Sequence, residues 1–381
     1  MPIASKGPMD RRPSPDFPPA EAPAEPRLAV AEVRAPGRLH LGFLDPAATL
    51  GRRFGSLGLV IAGFETVVQL GPLAGPAGGP DRLEADSPAA RAELPRAAAH
   101  LAALRQGLPV PHSPPLRLRL DQVLPAHAGF GSGTQLALAV GRAYAAVHGL
   151  QIDTPSLARL LGRGLRSGVG IAGFDQGGLL LDGGPGRGGQ PAPLLARLCL
   201  PADWRVLLVL DPDETGLAGD RERSALASLR PLSQAQAAAL CHEVLMRVLP
   251  SAADGDYEAF ALGISAVQAL LGAHFAPAQS GRAYLSARVA SVMDWLAAEA
   301  PRRLGLPAGI GQSSWGPTGF VFLPSAHAAE TLRAAALAAG QVPEGLQLQI
   351  VAPRNEGAAL RLLGPEASPR PRPEGQPLAT A

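Results

Sequence analysis

His127-Ala128-Gly129-Phe130-Gly131-Ser132-Gly133-Thr134-Gln135 is the stretch on which the fold turns. Ahead of it, Leu116 to Asp121 alternates Leu with Arg or Asp, the period-two pattern of a half-buried strand, and the alternation has stopped by Pro125. Behind it, Gln135 to His148 carries Leu136, Val140, Tyr144 and Val147 at helical spacing. Glycines let a backbone approach an anion closely, and a helix that follows aims free N–H groups and the positive end of its dipole at that anion. Gly129 to Thr134 is therefore a candidate phosphate cradle. A glycine loop before a helix can equally be an ordinary tight turn, so its neighbours decide.

Working outward, Leu28 to Arg34 and Glu65 to Leu70 look like strands that bracket a turn-rich segment, Ala35 to Gly63. Pro95 to Gln106 reads as an Ala-rich helix with its proline in the first turn and Gly107 as its stop. Ser156 to Ser167 is a second helix, which would put Arg163 and Arg166 on one helical face. Gly168 to Gly178 is glycine-rich, and Leu179 to Leu181 is a strand ending at Asp182-Gly183-Gly184. Pro185 to Pro193 suits a linker. Beyond it come a strand at Val206 to Leu210, helices near Ser233 to Val248, Tyr257 to Leu271 and Ala283 to Ala300, and a second glycine-rich run, Gly309 to Gly319. The strand Phe320 to Leu323, a helix at Ala326 to Leu337 and the strand Leu346 to Val351 follow. The organisation expected is a tail (1–27), a domain over 28–190, a second over 191–363 and a tail over 364–381, both tails being rich in Pro, Ala and charge.

Composition removes several chemistries. Net charge is +2 and aromatic residues are 4% of the chain, so no nucleic-acid surface is expected. Lys6 is the single lysine, which excludes a phosphate loop ending in Gly-Lys-Ser/Thr and a Schiff-base lysine. Arginine cannot shuttle protons, but its planar fork suits phosphate and carboxylate. Cys199 and Cys241 lack the spacing of a zinc site and read as buried apolar fillers. There is no basic-then-apolar leader and no run of eighteen apolar residues, so a cytoplasmic protein without membrane contact is expected.

Three segments stand in order: Arg38-Leu39-His40-Leu41-Gly42 with Asp45; Pro125 through Gly129-Phe130-Gly131-Ser132-Gly133-Thr134-Gln135; and Gly311-Gln312-Ser313-Ser314-Trp315-Gly316-Pro317. In combination they resemble the three signatures of the GHMP superfamily, which includes kinases of galactose, homoserine and mevalonate. Within it, Gly162-Arg163-Gly164-Leu165-Arg166-Ser167-Gly168-Val169-Gly170 and Gly178-Leu179-Leu180-Leu181-Asp182-Gly183-Gly184 are similar to the β-ribofuranosylaminobenzene 5'-phosphate synthases. Gly133-Thr134-Gln135 departs from the kinases, which carry a second serine and alanines there, and this counts against ATP as donor.

That resemblance implies an α+β, GHMP-kinase-like two-domain fold. Its N-terminal layer would be ribosomal-protein-like, its C-terminal domain ferredoxin-like, and the active site would lie in the cleft between them. It implies a homodimeric enzyme that condenses 4-aminobenzoate or 4-hydroxybenzoate with phosphoribosyl pyrophosphate and releases pyrophosphate and carbon dioxide, with Mg2+ accompanying the donor. On this reading Gly129, Gly131, Ser132, Gly133 and Thr134 take the diphosphate, and Arg38, Arg163 and Arg166 take anions. Asp45 or Asp175 serves the magnesium or the developing cation. His127, beside the loop, touches substrate, and His40 is either a substrate contact or a structural histidine. Ser313 and Ser314 bind phosphate or cap a helix, while Trp315 walls an aromatic slot. Asp45-Pro46 has a plainer reading as the start of a turn, and Glu222 with Arg223 fits a lid or a solvated loop. Two other functions fit the same scaffold, an ATP-dependent small-molecule kinase and a non-catalytic sugar-phosphate sensor.

Overall fold

The computed structural model describes residues 29–111, 113–217 and 219–364. Residues 1–27 and most of 364–381, read above as tails, lie outside the described residues, as does Lys6. Strands β1 (Val30–Asp45), β2 (Phe54–Pro72) and β3 (Arg82–Ala85) lead into helix α1 (Pro88–Gly107), strand β4 (Leu116–Gln122) and helices α2 (Ser132–Val147), α3 (Thr154–Leu160) and α4 (Val169–Gln176). Strands β5 (Leu179–Asp182), β6 (Leu194–Leu198) and β7 (Arg205–Leu210) follow, then helices α5 (Gly219–Ser228), α6 (Gln234–Glu243), α7 (Leu249–Asp254), α8 (Tyr257–Phe275) and α9 (Ala287–Leu304). The chain closes with strands β8 (Gly309–Gln312) and β9 (Gly319–Leu323), helix α10 (Ala326–Ala338), and strands β10 (Gln347–Val351) and β11 (Ala359–Leu363).

The first sheet is seven-stranded, in the order β11-β1-β2-β4-β3, with β5 on the first half of β2 and β6 outside β5. The second is four-stranded and antiparallel, in the order β10-β7-β9-β8. Numbered within that sheet this is 4-1-3-2, with helices between strands one and two and between three and four, which is the ferredoxin-like arrangement. Because β6 and β11 join the first sheet, sheet membership does not follow a division at residue 190.

Period-two burial explains the core. In β7, Val206 and Leu208 face one cluster while Leu207 and Val209 face another, and Phe320/Phe322 against Val321/Leu323 in β9 do the same. A strand covered on both faces reads as a continuous apolar run, which is why these strands were legible without alternation. The cluster between the sheets takes Leu39, Leu41, Leu57 and Leu59 from the first and Phe260 and Ile264 from α8. Each such side chain contributes about 1.5–3 kcal/mol when fully buried. The segment Tyr257–Ala278 has the length and apolarity of a membrane span, yet its Phe260, Ile264, Val267 and Leu271 belong to this core.

The structure departs from expectation in four places. Cys199, expected to be buried, is exposed just past the end of β6. Ala35 to Gly63 is not a turn region; β1 and β2 run through it as a long hairpin with register shifts between Pro36 and Arg38 and between His40 and Gly42. Gly58 is one of its glycines because a Cβ there would meet Val169 Cγ1 at 2.3 Å and Leu39 O at 2.9 Å, so the residue serves close packing rather than a turn. Helix α1 starts seven residues earlier than expected, at Pro88, where Ser87 caps it by accepting from Ala90 N–H, and Pro95 is interior. Arg163 and Arg166 sit in the irregular link between α3 and α4, not on a helix, and α4 occupies the glycine-rich run.

Candidate functional site

Three motifs far apart in sequence meet as one joint. The Arg38 N–H donates to Phe130 O at 3.1 Å, and the Ser314 N–H to His40 O at 3.0 Å. Ser313 Oγ accepts from the His40 N–H at 3.0 Å and donates to Gly129 O at 2.8 Å, while Thr318 Oγ1 donates to Ala128 O at 2.7 Å. Backbone groups in tight bends have no ladder partner, and the hydroxyls of the third motif supply one for the glycine loop. Ser313, fully buried and committed on both sides, is thus a clamp on the loop rather than a phosphate ligand.

Gly131 opens α2 in the left-handed region at φ 77°, and its carbonyl accepts the N–H groups of Thr134 and Gln135. No side chain caps this helix, so its first turn keeps donors for a ligand. Gly129, Gly131, Ser132, Gly133, Thr134 and the exposed His127 line a cavity of about 490 Å³, together with Arg38, Arg96, Arg163 and Glu222. It continues into a recess of about 310 Å³ along Gly162 to Ser167, with Arg38, Thr134, Arg163 and Glu222 common to both.

The guanidinium groups of this basin are held in place more than they are neutralised. Desolvation pulls the half-buried Arg38 down to about 10 against the pull of Glu222; one of its nitrogens donates to Gly129 O at 2.7 Å, and its buried Nε has no partner among the described residues. Burial and then Arg96 lower Arg163. Its Nη2 lies 3.3 Å from His100 Nε2, and since a guanidinium only donates, that nitrogen is the acceptor of a neutral imidazole. Burial, then Arg163 and Arg96, hold His100 down at about 4, consistent with that state. Arg96 pairs with Glu93 at 2.9 Å and Arg166 with Glu222 at 2.6 Å. Among the described residues, the carboxylates paired with these four arginines are Glu93, on Arg96, and Glu222, on Arg166.

A narrow slot of about 30 Å³ adjoins the basin, walled by His40, Phe43, Leu271, Phe275 and Trp315. The Phe275 and Trp315 rings lie 4.7 Å apart, and His40 meets Phe43 edge-on at 4.6 Å. Both His40 ring nitrogens are buried without a partner, and burial followed by Arg38 pulls the imidazole to about 3, so it is neutral. Trp315 and Ser314 line both slot and basin.

Two expected residues lie elsewhere. Asp175 is exposed at the far end of α4, accepting from Thr154 Oγ1 at 2.5 Å; α4 meets the basin through Gly170, one and a half turns earlier. Asp45 is buried at the end of β1 and accepts from the Leu50 N–H at 2.7 Å, which is the Asp-Pro turn. Among the described residues no group of three or more His, Cys, Asp or Glu is placed to hold a metal ion. Neither Asp45 nor Asp175 lines the basin, and Glu222, already paired, is the carboxylate among its described lining residues. Arg96 and His100 are the contributors not foreseen. They sit four apart on one face of α1, a spacing visible in the sequence but hidden by reading that helix as alanine packing.

Residues 93–182 match the family model for the GHMP kinases N terminal domain. Among solved structures, homoserine kinase from Cytophaga hutchinsonii superposes with a TM-score of 0.62 at 16% identity, covering 91% of this chain and 100% of that one. Mevalonate diphosphate decarboxylase from Staphylococcus aureus gives 0.61 at 16% identity, over 87% and 98%. These likenesses show the fold. In sequence, the chain is 31% identical over 251 residues to a β-ribofuranosylphenol 5'-phosphate synthase of Archaeoglobus fulgidus, covering 62% of this chain and 75% of that protein. It is 30% identical to the one of Methanothermobacter thermautotrophicus, over 62% and 74%. With three signature segments joined around one cationic basin and likeness at this level, the chain belongs to the β-ribofuranosylphenol 5'-phosphate synthase family and is an enzyme.

Proposed function

We propose that this enzyme transfers the phosphoribosyl group of phosphoribosyl pyrophosphate to the carboxylate-bearing ring carbon of 4-hydroxybenzoate, releasing pyrophosphate and carbon dioxide, in methanopterin-type cofactor synthesis. The acceptor is chosen because the relatives' name specifies a phenol, where the sequence left 4-aminobenzoate equally open. The observation that carries the proposal is the convergence of Arg38, Arg96 and Arg163 on the uncapped first turn of α2.

In the reaction the bond from the ribosyl carbon to diphosphate breaks and its electron pair leaves with the diphosphate. Charge develops on that leaving group, and preorganised cations with helix N–H groups stabilise it most at that moment. The ring supplies a π pair to the ribosyl carbon, and the pair of the ring–carboxylate bond returns to the ring as carbon dioxide departs. No covalent nucleophile is needed. His40, neutral beside the slot, places no positive charge against the carboxylate that must become neutral. Magnesium is proposed as a companion of the diphosphate in the substrate, and no step is routed through it.

The test supplies purified protein with phosphoribosyl pyrophosphate, magnesium and 4-hydroxybenzoate and measures both products. One carbon dioxide released per pyrophosphate is expected. ATP consumption with phosphate transfer would replace the proposal with a kinase, and faster turnover of 4-aminobenzoate would correct the acceptor.

A further inference from the structure

The basin has two lobes that share their middle and differ at their ends. Arg96 and Gly133 belong to the lobe at the α2 first turn alone, whereas Arg166 and Ser167 belong to the lobe along Gly162 to Ser167 alone. Between them, Arg38, Arg163 and Glu222 line both. In the second lobe a carboxylate already sits on a guanidinium: Glu222 pairs with Arg166 at 2.6 Å, with both side chains about three-quarters buried (25% and 21% exposed). A planar guanidinium takes phosphate oxygens in the same way as carboxylate oxygens. The volume of this lobe, about 310 Å³, is that of a small-ligand site in its own right.

Resting on the proposed donor, we infer that the lobes divide the two phosphate ends of one ligand: the α2 turn with Arg96 takes the diphosphate, and the Gly162–Ser167 link with Arg166 takes the 5-phosphate of the pentose. The site thereby selects a pentose phosphorylated at both ends. A ligand carrying one end alone binds one lobe and leaves the other open. The Glu222 carboxylate holds the position of a 5-phosphate oxygen on Arg166 until the ligand arrives.

Calorimetric titration of the full chain with ribose 5-phosphate and, separately, with pyrophosphate tests this. Arg166→Met is expected to weaken ribose 5-phosphate at least tenfold and pyrophosphate less than twofold; Arg96→Met should show the reverse pattern. Because Arg166→Met also releases Glu222, the paired Arg166→Met/Glu222→Gln variant is titrated too, and the same selectivity is expected of it. Equal weakening of both ligands in that paired variant would overturn the division of lobes. So would unchanged ribose 5-phosphate affinity with weakened 4-hydroxybenzoate, which would give Arg166 to the aromatic carboxylate. If the unaltered protein binds neither phosphate compound, the donor itself is wrong, a failure distinct from either of those.

Discussion

The basin and the slot share Ser314 and Trp315, yet one is lined by cations and the other by neutral groups. In the slot the polar groups are neutral: Gln312 Nε2 donates to Gln279 Oε1 at 2.8 Å, Gln268 Oε1 accepts from the Gln312 backbone N–H at 3.0 Å, and among the described residues neither ring nitrogen of His40 has a partner. In the basin the polar groups are cationic: among the described residues Arg38 and Arg163 each keep a buried nitrogen without a partner, and Arg96 and Arg166 pair with Glu93 and Glu222. A buried charge left short of partners is costly unless a ligand completes it. The slot is thus a narrow, neutral, aromatic-walled recess, whereas the basin is an array of cations whose geometry suits phosphate oxygens. The substitutions that follow probe that contrast.

The largest effect is expected at Arg38, whose charge faces both lobes and whose hydrogen bond holds the loop carbonyl of Gly129. Arg38→Met should lower kcat/KM at least a hundredfold, about 2.7 kcal/mol of transition-state stabilisation, with pyrophosphate affinity falling alongside. Next is Gly131→Val. Its left-handed backbone resists a branched side chain, and the new Cβ would stand 3.1 Å from the Arg38 guanidinium. A rise of roughly tenfold or more in the Kd for pyrophosphate is expected from steps of this energy, and circular dichroism should show the fold retained.

The slot should respond separately. Phe275 lines it but not the basin, so Phe275→Leu is expected to raise the KM for 4-hydroxybenzoate about fivefold, of the order of one aromatic contact, while pyrophosphate inhibition stays unchanged. Equal effects on both ligands would erase the distinction between the recesses.

Stability should also depend on pH through the two buried histidines. His40 and His100 are held near 3 and 4 in the folded protein, whereas an unfolded imidazole titrates near 6.5. Between about 6.5 and 4 the unfolded chain therefore binds protons that the native chain refuses, so stability falls as pH drops through that window. Urea midpoints at pH 7 and pH 5 should differ, and His100→Asn should reduce the difference. The smallest effect belongs to Asp175→Asn, which lies outside both recesses and should leave kcat/KM within about twofold, as surface changes usually do.

How much of this was legible in the sequence depended on whether a residue's role was local. The glycine loop, the strand before it and the helix after it declared themselves through periodicity, and the apolar runs at 206–210 and 320–323 did so through burial on both faces. The hairpin of β1 and β2 was hidden because its glycines look like turns while serving close packing of Gly58 against Val169. Asp175 was misplaced because sequence proximity to a glycine-rich segment does not say which end of α4 faces the loop. Arg96 and His100 were missed for the converse reason, since only the packing of α1 beside α2 brings them to Arg163. Ser313 carried a phosphate-binding look, but its hydroxyl is used by the backbone across the joint.

If the first turn of α2 grips a diphosphate, a crystal structure with phosphoribosyl pyrophosphate bound will show it there. The diphosphate is expected on the amides of Gly131, Ser132 and Gly133, within reach of Arg38 and Arg96. A donor whose diphosphate lay along Gly162 to Ser167, or outside the basin with that turn left empty, would contradict it.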